Sequence, residues 1–519
     1  MIIITSGAYI SQGLITELGK LPPTMLPLQN KRLFQHQLEL FNSNEEIIIS
    51  LPYDFKITER DRILLEEKNC SIIYVPLELS LGQSIVYVLN VKGKHKESVH
   101  ILHGDTLFKE LPEGTDVCIV SEVQDNYSWG YASESGEDRV YAGYFSFSNQ
   151  SILIKKITEN NYNFMKGLEA YRKEVKVKEY FTDFWLDFGL VNSYYRSKSF
   201  HTTQRVFNDL IIKRFSVTKF STDKRKMLAE AMWFKNAPLN LKPFLPSLWN
   251  YGDLNNKVFY EIDYFYLNTL SDLYVFGNQP LFIWKNIFKA CNLFIETCLS
   301  NKNEYNGDLN LFKEKLYNEK TLLRLKIYAL KENINLDEQW NFNGIQVPSL
   351  NEIVKEMNEA ISNPQSKHLC IIHGDFCFSN ILFDFKTQSI KVIDPRGLDL
   401  DGEETIYGDI RYDIAKLAHS VLGLYDYIIG GCFFIDEIDK YTIKFQIQTE
   451  HHILEIQKYF KTLKFGDMNL NELNIYPILV MLFLSMLPLH SDHTLRQKAF
   501  LANALKLYIE YKSFINQNL

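Results

Sequence analysis

The stretch from Leu369 to Gly397 constrains this chain more than any other. Apolar runs at Leu369–Ile372, Ile381–Phe383 and Val392–Ile393 bracket a polar loop and a short connection. Runs this short and this apolar read as buried strands, so the loop between the first two is fixed at both ends. It carries Asp375 and, five residues later, Asn380, and Asp394 arrives on the turn after the last strand. Asp375 and Asn380 then face one small volume, and Asp394 is placed to supply a further oxygen ligand. A carboxylate that takes a hydroxyl proton, beside oxygen ligands that hold Mg²⁺ across the phosphates of ATP, is what phosphoryl transfer demands.

Around that stretch the chain has room for more than one core. At 519 residues it corresponds to roughly two to four domains. With 46% hydrophobic and 23% charged residues, its composition is that of a globular protein rather than a disordered one. A formal net charge of −7 argues against a nucleic-acid partner, because phosphate backbones attract basic surfaces. The seven cysteines include no C-x-x-C pair and fit no zinc spacing, so they read as cytosolic thiols. Met1–Thr5 lacks the basic segment and cleavage site of a signal peptide and reads as a buried strand entering a Ser-Gly turn. The longest apolar run, Ile475–Leu489, falls short of the roughly 20 residues of a bilayer span and contains two prolines, which favours a buried helix. The expectation is a soluble, cytoplasmic protein with no membrane span.

Texture changes near Lys198–Thr202. Before that point, β-rich runs at Ile2–Thr5, Glu46–Leu51, Ser71–Val75, His100–His103 and Val117–Val120 alternate with amphipathic segments such as Leu33–Phe41 and Gln83–Val91. Such alternation predicts a largely parallel sheet flanked by helices, with ligands beyond the carboxyl ends of the strands. After it, Leu210–Lys219 and Lys257–Asp263 read as strands around a helix at Lys224–Lys235, and from Gln279 the pattern is mostly helical. The predicted layout is an α/β, Rossmann-like domain over 1–200 and an α+β, two-lobed domain over 201–519. Its small lobe would span about 201–278 and its helical lobe about 279–519.

At Cys370–Phe383 and Ile390–Gly397 the chain resembles the aminoglycoside phosphotransferase and choline kinase family, whose pattern is H-G-D-x-x-x-x-N followed by an Asp after a strand. The resemblance implies a kinase-like fold with ATP as phosphoryl donor, Asp375 as catalytic base, and Asn380 and Asp394 as Mg²⁺ ligands. The loop opens His-Gly-Asp where protein kinases have His-Arg-Asp, which implies a small-molecule acceptor. Tyr407–Leu417 resembles the family's Asp-x-Ala helix, in which Asp413 would brace the catalytic loop through its backbone. Arg396 either grips a substrate or ATP phosphate by paired hydrogen bonds or makes a structural ion pair. The lysine that meets the ATP phosphates has to come from Ile212–Ser221. Lys219 is the first choice, with Glu230 on the next helix as its partner, and Lys213 is the fallback. Residues 201–220 contain no glycine, so the glycine-rich phosphate loop of kinases at large is missing.

Residues 1–200 resemble nucleotide-sugar pyrophosphorylases and the related cytidylyltransferases. Pro23–Leu38 looks like the segment that follows that family's nucleotide loop, and Tyr141–Phe147 looks like its sugar-side strand. Leu81-Gly-Gln-Ser84 resembles the turn that meets the base. Leu102–Leu107 would present Asp105 as the first Mg²⁺ carboxylate, and Trp185-Leu-Asp-Phe-Gly189 would offer Asp187 as the second. Gly7 and Gln83 would contact the nucleotide. Two carboxylates at separate strand ends would hold Mg²⁺ on the α-phosphate of an NTP, with CTP or UTP favoured. A sugar- or alcohol-phosphate oxygen would attack there and pyrophosphate would leave. The loop Ser6–Gly13 departs from the family in having no arginine, and Thr24 stands where the family has lysine; Lys20 or Lys31 are the available substitutes.

Taken together, the two resemblances imply a bifunctional enzyme. One domain would phosphorylate a sugar, polyol or small alcohol, and the other would join that phosphate to a nucleotidyl group, giving an activated building block for surface polysaccharide. The alternative is a kinase whose first domain only binds a nucleotide or sugar. His36, His419 and His490 lie in helical patterns and read as packed or capping residues, and Lys224-Arg-Lys226 reads as a solvated helix face.

Overall fold

A computed structural model describes every residue except 43–44, 94–96, 124, 126, 128–129, 133–137, 201–207, 255, 303–308 and 519. The chain divides into two compact units, Met1–Thr203 with Phe276–Asn278, and Gln204–Val275 with Gln279–Leu519. The boundary expected near Lys198–Thr202 runs into 201–207, outside the described residues.

In the first unit, Ile2–Thr5 is a strand because three consecutive β-branched side chains suit a sheet buried on both faces, and all three isoleucines are buried. It lies in mid-sheet, parallel to Ile47–Pro52 on one side and to Val99–His103 on the other. The sheet runs in the order Lys178–Phe181, Val117–Glu122, Asp138–Phe147, Val99–His103, Ile2–Thr5, Ile47–Pro52, Cys70–Val75. It is mixed, because Asp138–Phe147 is antiparallel to both of its neighbours. The helix Leu81–Lys92 begins at a capping box between Ser80 and Gln83, and packs Ile85, Val86, Val88 and Leu89 into the core of this unit. A separate pair of strands, Thr106–Phe108 and Trp185–Asp187, sets Asp187 opposite Thr106, and therefore next to Asp105.

The second unit has two lobes. The smaller is an antiparallel sheet in the order Asn208–Ile212, Ser216–Ser221, Lys257–Asp263, Leu248–Leu254, with the helix Lys224–Asn236 against it. Leu210–Lys219, expected as one strand, is a hairpin. The backbone turns at the charged pair Lys213-Arg214, and Lys213 N donates to Ser216 O at 2.8 Å. The larger lobe is mainly helical and centres on Ile475–Met486, in which every residue but Tyr476 is buried. Among the described residues no helix is long and apolar enough to cross a membrane.

This lobe also holds a four-stranded sheet that the helical expectation for it missed, in the order Ile345–Val347, Trp340–Phe342, Thr442–Ile447, Phe433–Asp439. Its two hairpins are far apart in sequence and join through the parallel pairs Asn341–Thr442 and Phe342–Ile443, a pairing that local periodicity does not register. Between the helices Leu309–Lys313 and Lys320–Glu332 the chain makes a π-helical turn, Glu314–Glu319. All seven cysteines are buried and free.

Candidate active site

The strand Leu369–Ile371 pairs with Tyr407–Asp409, and Ile381–Asp384 pairs with Ser389–Val392, so the intervening loop is anchored at both ends. Gly374 has φ 79°, and a β-carbon there would lie 2.6 Å from Cβ of Arg396, so the turn requires glycine. Asp413, on the helix Ile410–Val421, accepts hydrogen bonds from His373 N at 2.6 Å and Gly374 N at 2.8 Å. Burial pushes Asp413 up to about 7, against the pull of those two N–H groups. Trp233 Nε1 donates to Ile372 O at 2.8 Å, and the His373 ring meets Ile393 O at 2.9 Å.

This bracing leaves Asp375 partly open, with 36% of its side chain exposed. Asn380 Nδ2 donates to Asp375 O at 2.9 Å and to Asp375 Oδ2 at 3.0 Å. Lys416 Nζ lies 2.9 Å from Asp375 Oδ1. Lys416 was not foreseen, although its spacing of three residues from Asp413 on one helix was a usable signal.

Across the lobes, the register Lys219↔Tyr260 sets these two side chains on the same face of the small sheet. Lys219 Nζ lies 2.8 Å from Glu230 Oε2 and 3.0 Å from Asp394 Oδ1, and Tyr260 OH donates to Glu230 Oε2 at 2.9 Å. Burial alone would lower the Lys219 pKa, but Asp394 and Glu230 together hold it above its ordinary value. Lys213 sits instead at the hairpin turn, 3.1 Å from Glu261. The structure therefore brings Lys219, Glu230 and Asp394 together, and Asp375 and Asn380 together.

Mg²⁺ takes oxygen ligands and commonly draws only one or two from protein, completing its shell with phosphate and water. Asn380 and Asp394 fit that pattern, since the Asn380 amide nitrogen is committed to Asp375, while its oxygen, which accepts from Ser379 Oγ at 3.3 Å, keeps a second lone pair to offer. Among the described residues no cluster of three His, Cys, Asp or Glu could enclose a metal alone. Arg396 donates its backbone N–H to His373 O at 2.9 Å, while its guanidinium has neither hydrogen bond nor ion pair among the described residues. With His373, Gly374, Tyr407 and Tyr412 it lines a cavity of about 140 Å³.

In the first unit, Asp105 and Asp187 flank Gly189, where a β-carbon would lie 2.7 Å from Asp105 Oδ2 and 3.3 Å from Asp187 Oδ1. Tyr127 OH donates to Asp187 Oδ2 at 2.8 Å. Burial, then the Asp187 charge, push Asp105 up to about 7. The Ser6–Gly13 loop carries no charged side chain. Ser6 Oγ accepts from Thr24 N at 3.1 Å and from Thr24 Oγ1 at 3.0 Å, so the loop is tied to the residue standing at the lysine position.

Lys20 pairs with Asp54 at 2.9 Å and Lys31 with Glu39 at 3.2 Å, so both substitute lysines already hold carboxylates. Gly7 is demanded by packing, because a β-carbon there would meet Val75 Cγ2 at 2.4 Å. Gln83 caps its own helix, its side-chain oxygen accepting from Ser80 N at 2.8 Å. Next to Gly7, the buried Ser84 hydroxyl has no partner among the described residues. Of the three histidines singled out, His419 is packed between Tyr425 and Phe483, and His36 meets Leu28 O at 3.1 Å.

No family model matches the chain, and no curated protein matches it. Among solved structures, the chain is similar to a thermostable mutant of aminoglycoside phosphotransferase APH(4)-Ia in its apo form. The identity is 12% and the TM-score 0.33, over 60% of this chain and 97% of that one. It is similar to spectinomycin phosphotransferase APH(9)-Ia in complex with ADP and spectinomycin, at 10% identity and a TM-score of 0.32, over 59% of this chain and 90% of that one. It is also similar to HddC from Yersinia pseudotuberculosis, at 16% identity and a TM-score of 0.29, over 39% of this chain and 99% of that one.

Proposed function

We propose that the second unit is an ATP-dependent kinase for a hydroxyl group on a small molecule. The observation that carries this reading is the braced loop that presents Asp375 beside Asn380, with Asp394 joined to the buried Lys219–Glu230 pair. The acceptor oxygen attacks the γ-phosphorus of ATP and its proton passes to Asp375. A new P–O bond forms as the bond to the β–γ bridging oxygen breaks, and ADP leaves with that electron pair. Lys416 stabilises the negative charge of Asp375 at Oδ1, keeping a carboxylate available as base. Lys219, oriented by Glu230, is the cation for the phosphates. Asn380 and Asp394 would hold Mg²⁺, whose charge would neutralise the phosphates. Replacing Asp375→Asn is expected to lower ADP formation by about 10²–10⁴-fold across an acceptor panel. Undiminished turnover in that variant would refute the reading.

The Asp105–Asp187 pair supports a second activity in the first unit, nucleotidyl transfer from an NTP, CTP or UTP first, onto a sugar- or alcohol-phosphate. The chain would then be bifunctional and would make a nucleotide-linked building block. The neutral Ser6–Thr24 contact and the engaged Lys20 and Lys31 support the alternative, a domain that binds a nucleotide or sugar without turnover. Pyrophosphate release with each NTP and a panel of phosphates separates the two. Release lost in Asp105→Ala means transfer, and no release from any pairing means binding alone.

A further inference from the structure

Four cations gather around one phenol, Tyr412, on the helix that braces the catalytic loop. Lys320 Nζ donates to Tyr412 OH at 2.9 Å and lies 4.7 Å from the centre of its ring. Lys416 follows Tyr412 by one turn on the same helix, and Arg324 follows Lys320 by one turn on another. Arg396 lines the same cavity as Tyr412. Burial would raise the Tyr412 pKa, but the charges of Lys320, Lys416 and Arg396 overcome it and draw it down to about 7. Burial, with Arg396 and Arg324 nearby, brings Lys320 down to about 8.

The carboxylates of this region are already engaged. Asp375 faces Lys416, Asp401 pairs with Lys315 at 3.0 Å, and Asp409 pairs with Arg411 at 2.6 Å. Asp399, a further acid on the cavity wall, accepts the backbone N–H groups of Asp401 and Glu403. Among the described residues Lys320, Arg324 and Arg396 have no carboxylate partner, and Arg324 donates only to Ser485 O, at 3.1 Å. Three half-buried cations sharing one phenol and no carboxylate are costly, and a guanidinium recovers that cost best by binding a carboxylate or phosphate.

Two further features place a ligand here. The cavity of about 140 Å³ is walled by His373 and Gly374 of the catalytic loop itself, one residue from Asp375. Its other wall includes Lys315 and Leu316 from the π-helical turn Glu314–Glu319, a rare distortion that recurs at functional sites.

We propose that the acceptor phosphorylated beside Asp375 is an anionic hydroxy compound, its carboxylate or phosphate held by Arg396, Lys320 and Arg324 at Tyr412. This rests on the kinase reading and goes beyond it by naming the substrate class. The same cluster disfavours cationic acceptors such as amino sugars and quaternary amines.

The test uses the full chain and four compact alcohols, D-glycerate, glycerol 3-phosphate, glycerol and choline. ADP formation is expected to show kcat/KM at least about tenfold higher for glycerate or glycerol 3-phosphate than for glycerol, with choline lowest. Whichever of the two anions leads identifies carboxylate or phosphate as the group recognised. In Arg324→Gln and Arg396→Gln, the ratio of that anion to glycerol should fall towards one, a change that loss of folded protein alone would not produce. Turnover that prefers glycerol or choline overturns the proposal while leaving the kinase intact. Calorimetric binding of glycerol 3-phosphate and glycerate reads the proposal even without turnover. Binding weakened at least about tenfold by Arg324→Gln supports it, and anions binding no tighter than glycerol overturn it. ADP formation that survives Asp375→Asn counts separately, against the kinase reading.

Discussion

A β-carbon on Gly374 would share space with Cβ of Arg396, in a backbone conformation at φ 79° that side chains avoid. Gly374→Ala is therefore expected to destabilise the protein by about 1–3 kcal/mol and to shift Asp375 out of place. Thermal melting and ADP formation measure the two effects. Asp413→Asn has a different logic. Its two carboxylate oxygens each take one backbone N–H, and an amide can accept only one of them. The orphaned donor should cost about 1–3 kcal/mol and lower turnover as the loop loosens. Tyr412 should reveal itself by titration. Its ordinary value is 10.0 and its folded value about 7, so folding favours the phenolate. The stability it contributes is fully present above its ordinary value and is lost as pH falls through about 7. One tyrosinate is expected in the near-ultraviolet absorbance between about pH 6 and 8, and it should be missing in Tyr412→Phe.

Among the elements, the small sheet and the catalytic hairpin are tied through one ammonium. Lys219→Met would leave Glu230 and the neighbouring Asp394 facing each other without their cation, at a cost of about 3–5 kcal/mol. Adding Glu230→Gln should cost less than the sum of the two single changes, because the residues share that contact. Denaturant unfolding of the single and double variants checks this.

What could be read from sequence at this scale was whatever neighbouring residues encode. Asp375, Asn380 and Asp394 lie on one strand–loop–strand passage, so apolar runs and spacing sufficed to place them. The helix Lys224–Asn236 and the strand Lys257–Asp263 were legible by periodicity. The turn at Lys213-Arg214 was lost because the flanking residues remain β-rich across it. Lys320 and Arg324 were invisible for a deeper reason. Their helix reaches Tyr412 across more than eighty residues of chain, after a π turn that shifts its side-chain phase. Gly7 and Gln83 also have structural roles, one in packing against Val75 and one in capping a helix, which their positions in the sequence do not announce.

For the whole molecule, net charge is a poor guide to local chemistry. A chain of formal charge −7 still gathers Lys320, Arg324, Arg396 and Lys416 around Tyr412, so overall charge does not report the local field there. The buried cysteines carry another consequence. Burial pushes Cys70, Cys118 and Cys377 up to about 12, so each thiol is both shielded and protonated in the native state. An alkylating reagent reaches such groups when the fold opens, which makes its rate a gauge of local breathing. Cys70 and Cys118 report on the first unit, and Cys291, Cys298, Cys370, Cys377 and Cys432 on the second. ATP with Mg²⁺ should slow labelling of the second set, most at Cys377, whose Sγ lies 3.9 Å from Asp375 Oδ1. CTP or UTP should slow the first set if that unit takes a nucleotide. The chain thus carries its own reporters, and mass spectrometry of labelled peptides would show which half each nucleotide quiets.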